Sequence, residues 1–401
     1  MPWKELSVVD QREEMVKLAL TRGANKSEVF RRFGISRDTG YCWLERYREG
    51  GRASLADRPR RPHRSPGKTD PSMEAEIVRI RDESNNAWGG RKIAWTLKHA
   101  GRKKVPHPST ITGILRRHNR LEARRDEHPG PFKRFERAEP NELWQMDYKG
   151  PVPLLHGRCH PLTALDDHSR YSLLLEACEN ERDATVRTRL TTAFRRYGLP
   201  FSMLMDNGSP WGDAGDQPFT VFTVWLMRLG IVVIHGAPYH PQTQGKEERF
   251  HRTLKAEVFQ GRSFRDFADC QKAFDHWRHR YNHDRPHDAL GLETPASRYC
   301  LSARSFPETL PPIEYGPGDI VRQVSVKGFI SFNNRPIRIS KAFRRQPVAL
   351  RPGGEDDVFT VHFCAQQIGL IDLRTKPACG FVDIEETMPT TPQAQLQQQP
   401  V

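Results

Sequence analysis

From residue 141 the apolar positions take up a strand period, and nothing else in the chain limits its fold as much. In "NELWQMDYKG" (141–150), Trp144, Met146 and Tyr148 share one face, while Gln145, Asp147 and Lys149 share the other. "HPLTALDDHSRYSLLLEA" (160–177) predicts two strands joined around Asp167 and His168. A helix over 183–197, the strand "FSMLMDNG", a helix over 219–229 and the strand "IVVIHG" follow. Two more helical stretches begin near 243 and run over 264–281. Strands first, then helices alternating with strands, predict a mixed α/β layer. Ligands of such layers gather where strand ends meet helix starts.

Three acids fall at such positions. Asp147 lies on the polar face of the first strand, and Asp206 ends a strand just before Asn207-Gly208. Glu248 lies in the first turns of the helix "GKEERFHRTLKAE". On a helical wheel Phe250, Leu254 and Val258 form an apolar stripe, and Glu247 points into it. Glu248 points away, with Arg252 and Lys255. One reading of Glu248 is a solvated pair with Arg252. The other is an ionised acid that holds a metal while the cations around it hold phosphates. Three converging carboxylates repel one another unless a cation lies among them, and Mg²⁺ is the hard ion suited to carboxylate and phosphate oxygen. Two such ions about 4 Å apart can activate a nucleophile and stabilise a leaving oxygen. Asp166, Asp167 and His168 read instead as a strand connection, and Asp213 and Asp216 as a solvated loop.

Charge points to the partner. The net charge is +14, yet residues 1–140 hold 32 Lys/Arg against 19 Asp/Glu, while 141–300 hold 20 of each. A basic arm of that size suits a polyanion, most simply nucleic acid. Within it, helices over 9–20, 27–33 and 37–47, with Gly34-Ile35-Ser36 before the third, predict a helix-turn-helix. Helices over 73–83, 91–99 and 109–118, the last capped by Ser109, predict a second helical reading head. Arg37, Tyr41, Arg58, Arg60, Arg61, Arg116 and Arg117 are the candidate DNA contacts there. Lys246, Arg249, Arg252 and Lys255 are the candidates beside Glu248. The seven cysteines include no C-x-x-C pair, so neither a zinc site nor a disulfide framework is indicated. No apolar leader and no long uncharged apolar run is present, which predicts a soluble cytoplasmic protein associated with the nucleoid.

The stretches "WQMDYKG", "MDNGSPWG", "PYHPQTQGKEERFHRTLK" and "YNHDRPHDALG" together resemble the integrase-core transposases of bacterial insertion sequences, relatives of retroviral integrases. The resemblance implies a ribonuclease-H-like catalytic fold and an Asp-Asp-Glu triad at Asp147, Asp206 and Glu248. It also implies two Mg²⁺ ions (or Mn²⁺), strand transfer of element ends into target DNA, and a homo-oligomeric complex on double-stranded DNA. The 41 residues between Asp206 and Glu248 exceed the family's common spacing, and the surplus falls in "SPWGDAGDQP" (209–218). The expected plan is multidomain: an all-α helix-turn-helix unit (1–51), a basic linker (52–68), a second helix-turn-helix or winged-helix-like unit (69–120) and a linker (121–140). An α/β ribonuclease-H-like core (141–300), a small all-β barrel (313–375) and a disordered tail (386–401) complete it.

Overall fold

The computed structural model describes residues 7–58, 67–121, 136–212, 219–236, 245–374 and 382–383. The expected tail, residues 59–66 of the first linker and 122–135 of the second lie outside the described residues, as do Asp213 and Asp216; Arg60 and Arg61 fall in 59–66. The chain divides into two compact units, Met1–Lys68 and Thr69–Val401.

The first unit is a three-helix bundle whose boundaries follow from its caps. Ser7 and Asp10 close a capping box on α1 (Val8–Leu20), Asn25 caps α2 (Lys26–Arg32), and Ser36 caps α3 (Arg37–Gly50). Gly51, at φ 57°, ends α3 in a conformation that favours glycine. Met15, Val16, Phe30, Leu44 and Leu55 form the core. Gly40 is what lets α3 close on α2, because a Cβ there would lie 2.5 Å from the Phe30 ring.

The second unit opens with α4 (Pro71–Glu83), α5 (Gly90–His99) and α6 (Pro108–Arg117), packed around Ile77, Trp88, Ile93, Leu97, Ile111 and Ile114. The cap of α6 is His107 rather than Ser109: its ring accepts from Ser109 N, and Pro108 takes the first helical position. A proline there loses no intrahelical hydrogen bond, which moves the helix start back by one residue.

The α/β layer is a mixed sheet. β1 (Leu143–Tyr148) pairs antiparallel with β3 (Arg158–Asp166) and parallel with β5 (Ser202–Met205). β6 (Val232–His235) runs parallel beyond β5, β4 (Ser172–Cys178) pairs with β3, and the short β2 (Val152–Pro153) pairs with the start of β3. The two faces of β1 go to different cores. Trp144 and Met146 pack with α7 (Asp183–Tyr197) and α8 (Val221–Arg228). On the other side, Leu165 and Leu175 of the flanking strands pack with α9 (Gly245–Leu254) and α10 (Phe267–His283) through Phe250, Leu254, Phe274 and Trp277. A π-helical turn, Lys255–Phe259, prolongs α9.

The C-terminal region is all β. A four-stranded antiparallel sheet has the order β12 (Gln366–Asp372), β11 (Val358–Phe363), β10 (Pro347–Pro352), β7 (Ile320–Gln323). A second sheet joins β8 (Phe329–Phe332), β9 (Arg335–Arg338) and β13 (Val382–Asp383). These strands share a core with the α/β layer. Phe343 meets Phe219 edge-on at 5.0 Å, and Val348, Val361 and Phe363 join the cluster of Trp144 and Phe222. The Gln366 amide completes the edge of β6: Val233 N donates to its Oε1 (3.1 Å) and its Nε2 donates to Val233 O (3.2 Å).

Candidate active site

Parallel strands β1 and β5 bring Asp147 and Asp206 to the same end of the sheet. Asp147 is the penultimate residue of β1, and Asp206 follows β5 directly. Trp211 Nε1 and Gly208 N both donate to Asp206 Oδ1, the latter over 3.0 Å, which orients the carboxylate. His235, at the end of β6, approaches the Asp206 carbonyl at 2.9 Å through Nδ1. Burial and the nearby Asp206 charge push the Asp147 carboxyl up to about 7.

Helix α9 brings two further side chains to Asp147. His251 Nδ1 lies 3.9 Å from Asp147 Oδ2. Thr163, which faces Asp147 in the β1–β3 register, places its hydroxyl 2.9 Å from the Asp147 carbonyl oxygen, 2.9 Å from His251 Nε2 and 3.1 Å from Glu247 Oε2. Glu247 is only 1 % exposed. Burial, then the neighbouring Asp147 charge, holds its carboxyl well above the usual range. Its Oε1 has no hydrogen-bond partner among the described residues. Burial pushes the His251 imidazole down to about 4, so near neutrality the ring is uncharged.

The candidate residues from the sequence therefore separate. Asp147 and Asp206 come together. Glu248 does not join them: its side chain is 66 % exposed and accepts from Arg252 Nη2 at 2.6 Å. Among the described residues no three His, Cys, Asp or Glu side chains stand close enough to hold a metal ion. The wheel was right in sending Glu247 inward, yet it pointed to apolar packing, and the pocket it enters is polar.

The proposed DNA contacts also divide. Arg37, Arg58, Arg116, Arg249 and Lys255 are exposed, and Tyr41 is half exposed with its ring edge-on to Phe30. Arg117 is exposed but paired with Glu74 at 2.7 Å. Lys246 departs from expectation, because its ammonium is bound to the fully buried Asp167. Asp166 and Asp167 hold the β3–β4 connection as the sequence suggested. Asp166 Oδ1 accepts from Asn141 N, and its Oδ2 accepts from Ser169 N and Oγ. Thr163, His251 and the partner of Lys246 were missed. The signal for the first two was available in part, since Thr163 lies on the buried strand opposite Asp147 and His251 one turn beyond Glu247.

Residues 137–241 and 229–295 each match the integrase core domain, and 319–378 match the C-terminal domain of the IS481 family transposases. The chain thus carries an integrase core domain over 137–295 and a C-terminal domain of the IS481 transposase type. Its front end fits that arrangement: residues 11–63 match a helix-turn-helix domain and 39–115 a homeodomain-like domain. Similar proteins include an uncharacterised 39.2 kDa protein of insertion element IS476 from Xanthomonas euvesicatoria, 27% identical over 39% of this chain and 44% of its own. The Gag-Pro-Pol polyprotein of Mason-Pfizer monkey virus is 32% identical over 30% of this chain and 6% of its own. The chain thus spans less than half the length of these curated relatives. Among solved structures, the magnesium-bound catalytic core of HTLV-2 integrase aligns with 40% of this chain and 97% of its own, at 16% identity and a TM-score of 0.32. No described helix is long and apolar enough to cross a membrane.

Proposed function

We propose that the chain is a DNA transposase that binds the ends of an insertion element, cleaves a phosphodiester there and joins the freed end to target DNA. The observation that carries this reading is the pair Asp147 and Asp206, held at adjacent parallel strand ends and close enough for one charge to raise the other's pKa. Two hard oxygen donors that repel each other fit a divalent cation, with substrate phosphate and water completing its shell. Bound there, Mg²⁺ would supply Lewis-acid activation of the phosphodiester and of the attacking oxygen. The chain's own part is to fix these oxygens: Trp211 and Gly208 orient Asp206, His251 of α9 approaches the Asp147 carboxylate, and Thr163 of β3 donates to the Asp147 carbonyl.

Glu248 is the proposed third acid, although it stands apart in this structure. At ~100° per residue, His251 lies roughly 40° round the helix from Glu247 and 60° from Glu248, so it falls between them. His251 approaches Asp147, and Glu248 lies three residues before it, one turn back on the same helix. Its pair with Arg252 is exposed, and exposed ion pairs of this kind are worth little, so giving it up for a metal costs little. Glu247, fully buried and bonded to the Thr163 hydroxyl, is the weaker candidate because burial disfavours its charged form. Two ions rather than one, a homo-oligomer spanning two ends, and a site of action on nucleoid DNA in the cytoplasm belong to the same reading. Arg37, Tyr41, Arg58, Arg116, Arg249 and Lys255 are the proposed duplex contacts. Incubation of the full chain with a labelled terminal-repeat duplex and plasmid in Mg²⁺ tests it. Covalently joined product is expected, and binding without cleavage would reduce the protein to a DNA-binding factor.

A further inference from the structure

Lys246 occupies the second position of α9, two residues before Glu248. A cation is unfavourable at a helix N-terminus, where the dipole is positive, so its presence there calls for a partner. That partner is Asp167, 79 residues away in sequence and fully buried. The Lys246 ammonium bonds to Asp167 Oδ1 and lies 3.2 Å from the Asp167 carbonyl oxygen. Asp167 Oδ1 also accepts from Gln145 Nε2 on β1 (2.6 Å), and Oδ2 accepts from Arg137 N (2.7 Å). Asp167 N in turn donates to Leu143 O at the start of β1 (2.9 Å). Asp167 therefore ties the first turn of α9 to the first half of the strand that carries Asp147, through its carboxylate at Gln145 and its backbone N–H at Leu143.

Resting on the function proposed above, we propose that Lys246 is a positioning residue rather than a DNA contact: through Asp167 it fixes the rotation of α9 against β1. The side chains that α9 turns toward Asp147 depend on that rotation. His251 is one full turn from Glu247, and a shift of one residue would exchange Glu247 for Glu248 at the Thr163 hydroxyl. A buried ion pair is well suited to specifying such a register, because either partner alone is an uncompensated buried charge. Apolar contacts of Phe250 and Leu254 fasten the helix but tolerate sliding more readily than a directional charge pair does.

The test uses the full chain with Lys246→Met, Asp167→Asn and the double variant. Cleavage kinetics in Mg²⁺, gel shifts at two salt concentrations, and hydrogen exchange of 245–254 without DNA or metal would be measured. For Lys246→Met the tether predicts kcat lower by ~10- to 100-fold, the range typical of lost outer-shell support. Duplex Kd and its salt slope should stay unchanged, and the amides of the first turn of α9 should exchange faster. The double variant should be no worse than the poorer single, since both remove one interaction. If Lys246→Met fails to fold because Asp167 is left unpaired, the double variant, which buries no charge at the pair, carries the same measurements. An intact kcat with weaker duplex binding and a salt slope smaller by about one would make Lys246 a phosphate contact and overturn the proposal. Unchanged exchange in α9 would overturn it too. Absence of cleavage by the wild-type chain would instead count against the proposed function, and the exchange measurement would still decide the tether.

Discussion

Two adjacent glutamates with opposite surroundings dominate the residue scale. Glu248→Gln keeps shape but removes the charge a cation needs, so DNA cleavage in Mg²⁺ should fall by well over ~10²-fold while gel-shift affinity holds or rises. Glu247→Gln should cut DNA nearly as well as wild type, because a neutral amide resembles the protonated acid that burial favours there. A dead Glu247→Gln beside an active Glu248→Gln would reverse the assignment. The pH dependence follows from the same burial. Asp147 and Glu247 both titrate above their ordinary values, so their favourable contribution to the metal-free fold is complete below about pH 4 and is lost as pH rises, for Asp147 through about 7. Thermal melts of metal-free protein should show lower Tm at pH 8 than at pH 5, with a smaller drop in Asp147→Asn; an equal drop would locate the effect elsewhere. Asp147 and Asp206 were legible as strand-end acids. The environment of Glu247 was not, because Thr163 reaches it from a strand 84 residues away.

Elements were legible where their ends carry local chemistry. Ser7, Asn25, Ser36 and Gly51 mark helix boundaries through bonds within a few residues. The first two helices were therefore legible to within one residue and the third from its start, though it runs three residues past the expected end at 47. The strand period of β1 likewise separates Trp144 and Met146 from Gln145 and Asp147. The C-terminal strands could be recognised as strands, but not their partner. Val361 and Phe363 alternate as in any half-buried strand, Val348–Leu350 form a short buried run, and neither pattern distinguishes a core of their own from one shared with α8. Gln366 gives the joint a specific test. Gln366→Ala would leave Val233 N–H and C=O unpaired at the edge of β6, at a cost of about 1–3 kcal/mol. Denaturant unfolding followed by a probe in the α/β layer should show that loss. An unchanged midpoint would mean that the edge does not need the amide.

At the scale of the whole molecule, basic charge is concentrated ahead of the α/β layer, and the first three helices form a compact unit with their own core. A 1–68 fragment should therefore fold alone and bind duplex DNA with an affinity that falls steeply with salt. Circular dichroism and gel shifts check this, and a folded fragment that ignores DNA at low salt would contradict it. The second helical unit is held to the α/β layer: Asn85 Nδ2 donates to Ala256 O (3.0 Å), Arg280 Nη1 to Glu83 O (2.9 Å), and Arg91 pairs with Asp288 (2.8 Å). The sequence could not reveal that joint, because it depends on a turn, Asn85-Asn86, whose positive φ angles carry no signature of their partner. The central claim is that Asp147 and Asp206 together perform phosphodiester chemistry on DNA ends. Its most direct measurement is joining of a labelled element-end duplex to plasmid in Mg²⁺ by wild type and by Asp206→Asn. The asparagine keeps an oxygen acceptor for Trp211 and Gly208, so the fold and the gel shift should survive. Joined product from the wild type and none from Asp206→Asn is the predicted result. Equal joining by the two proteins would contradict it.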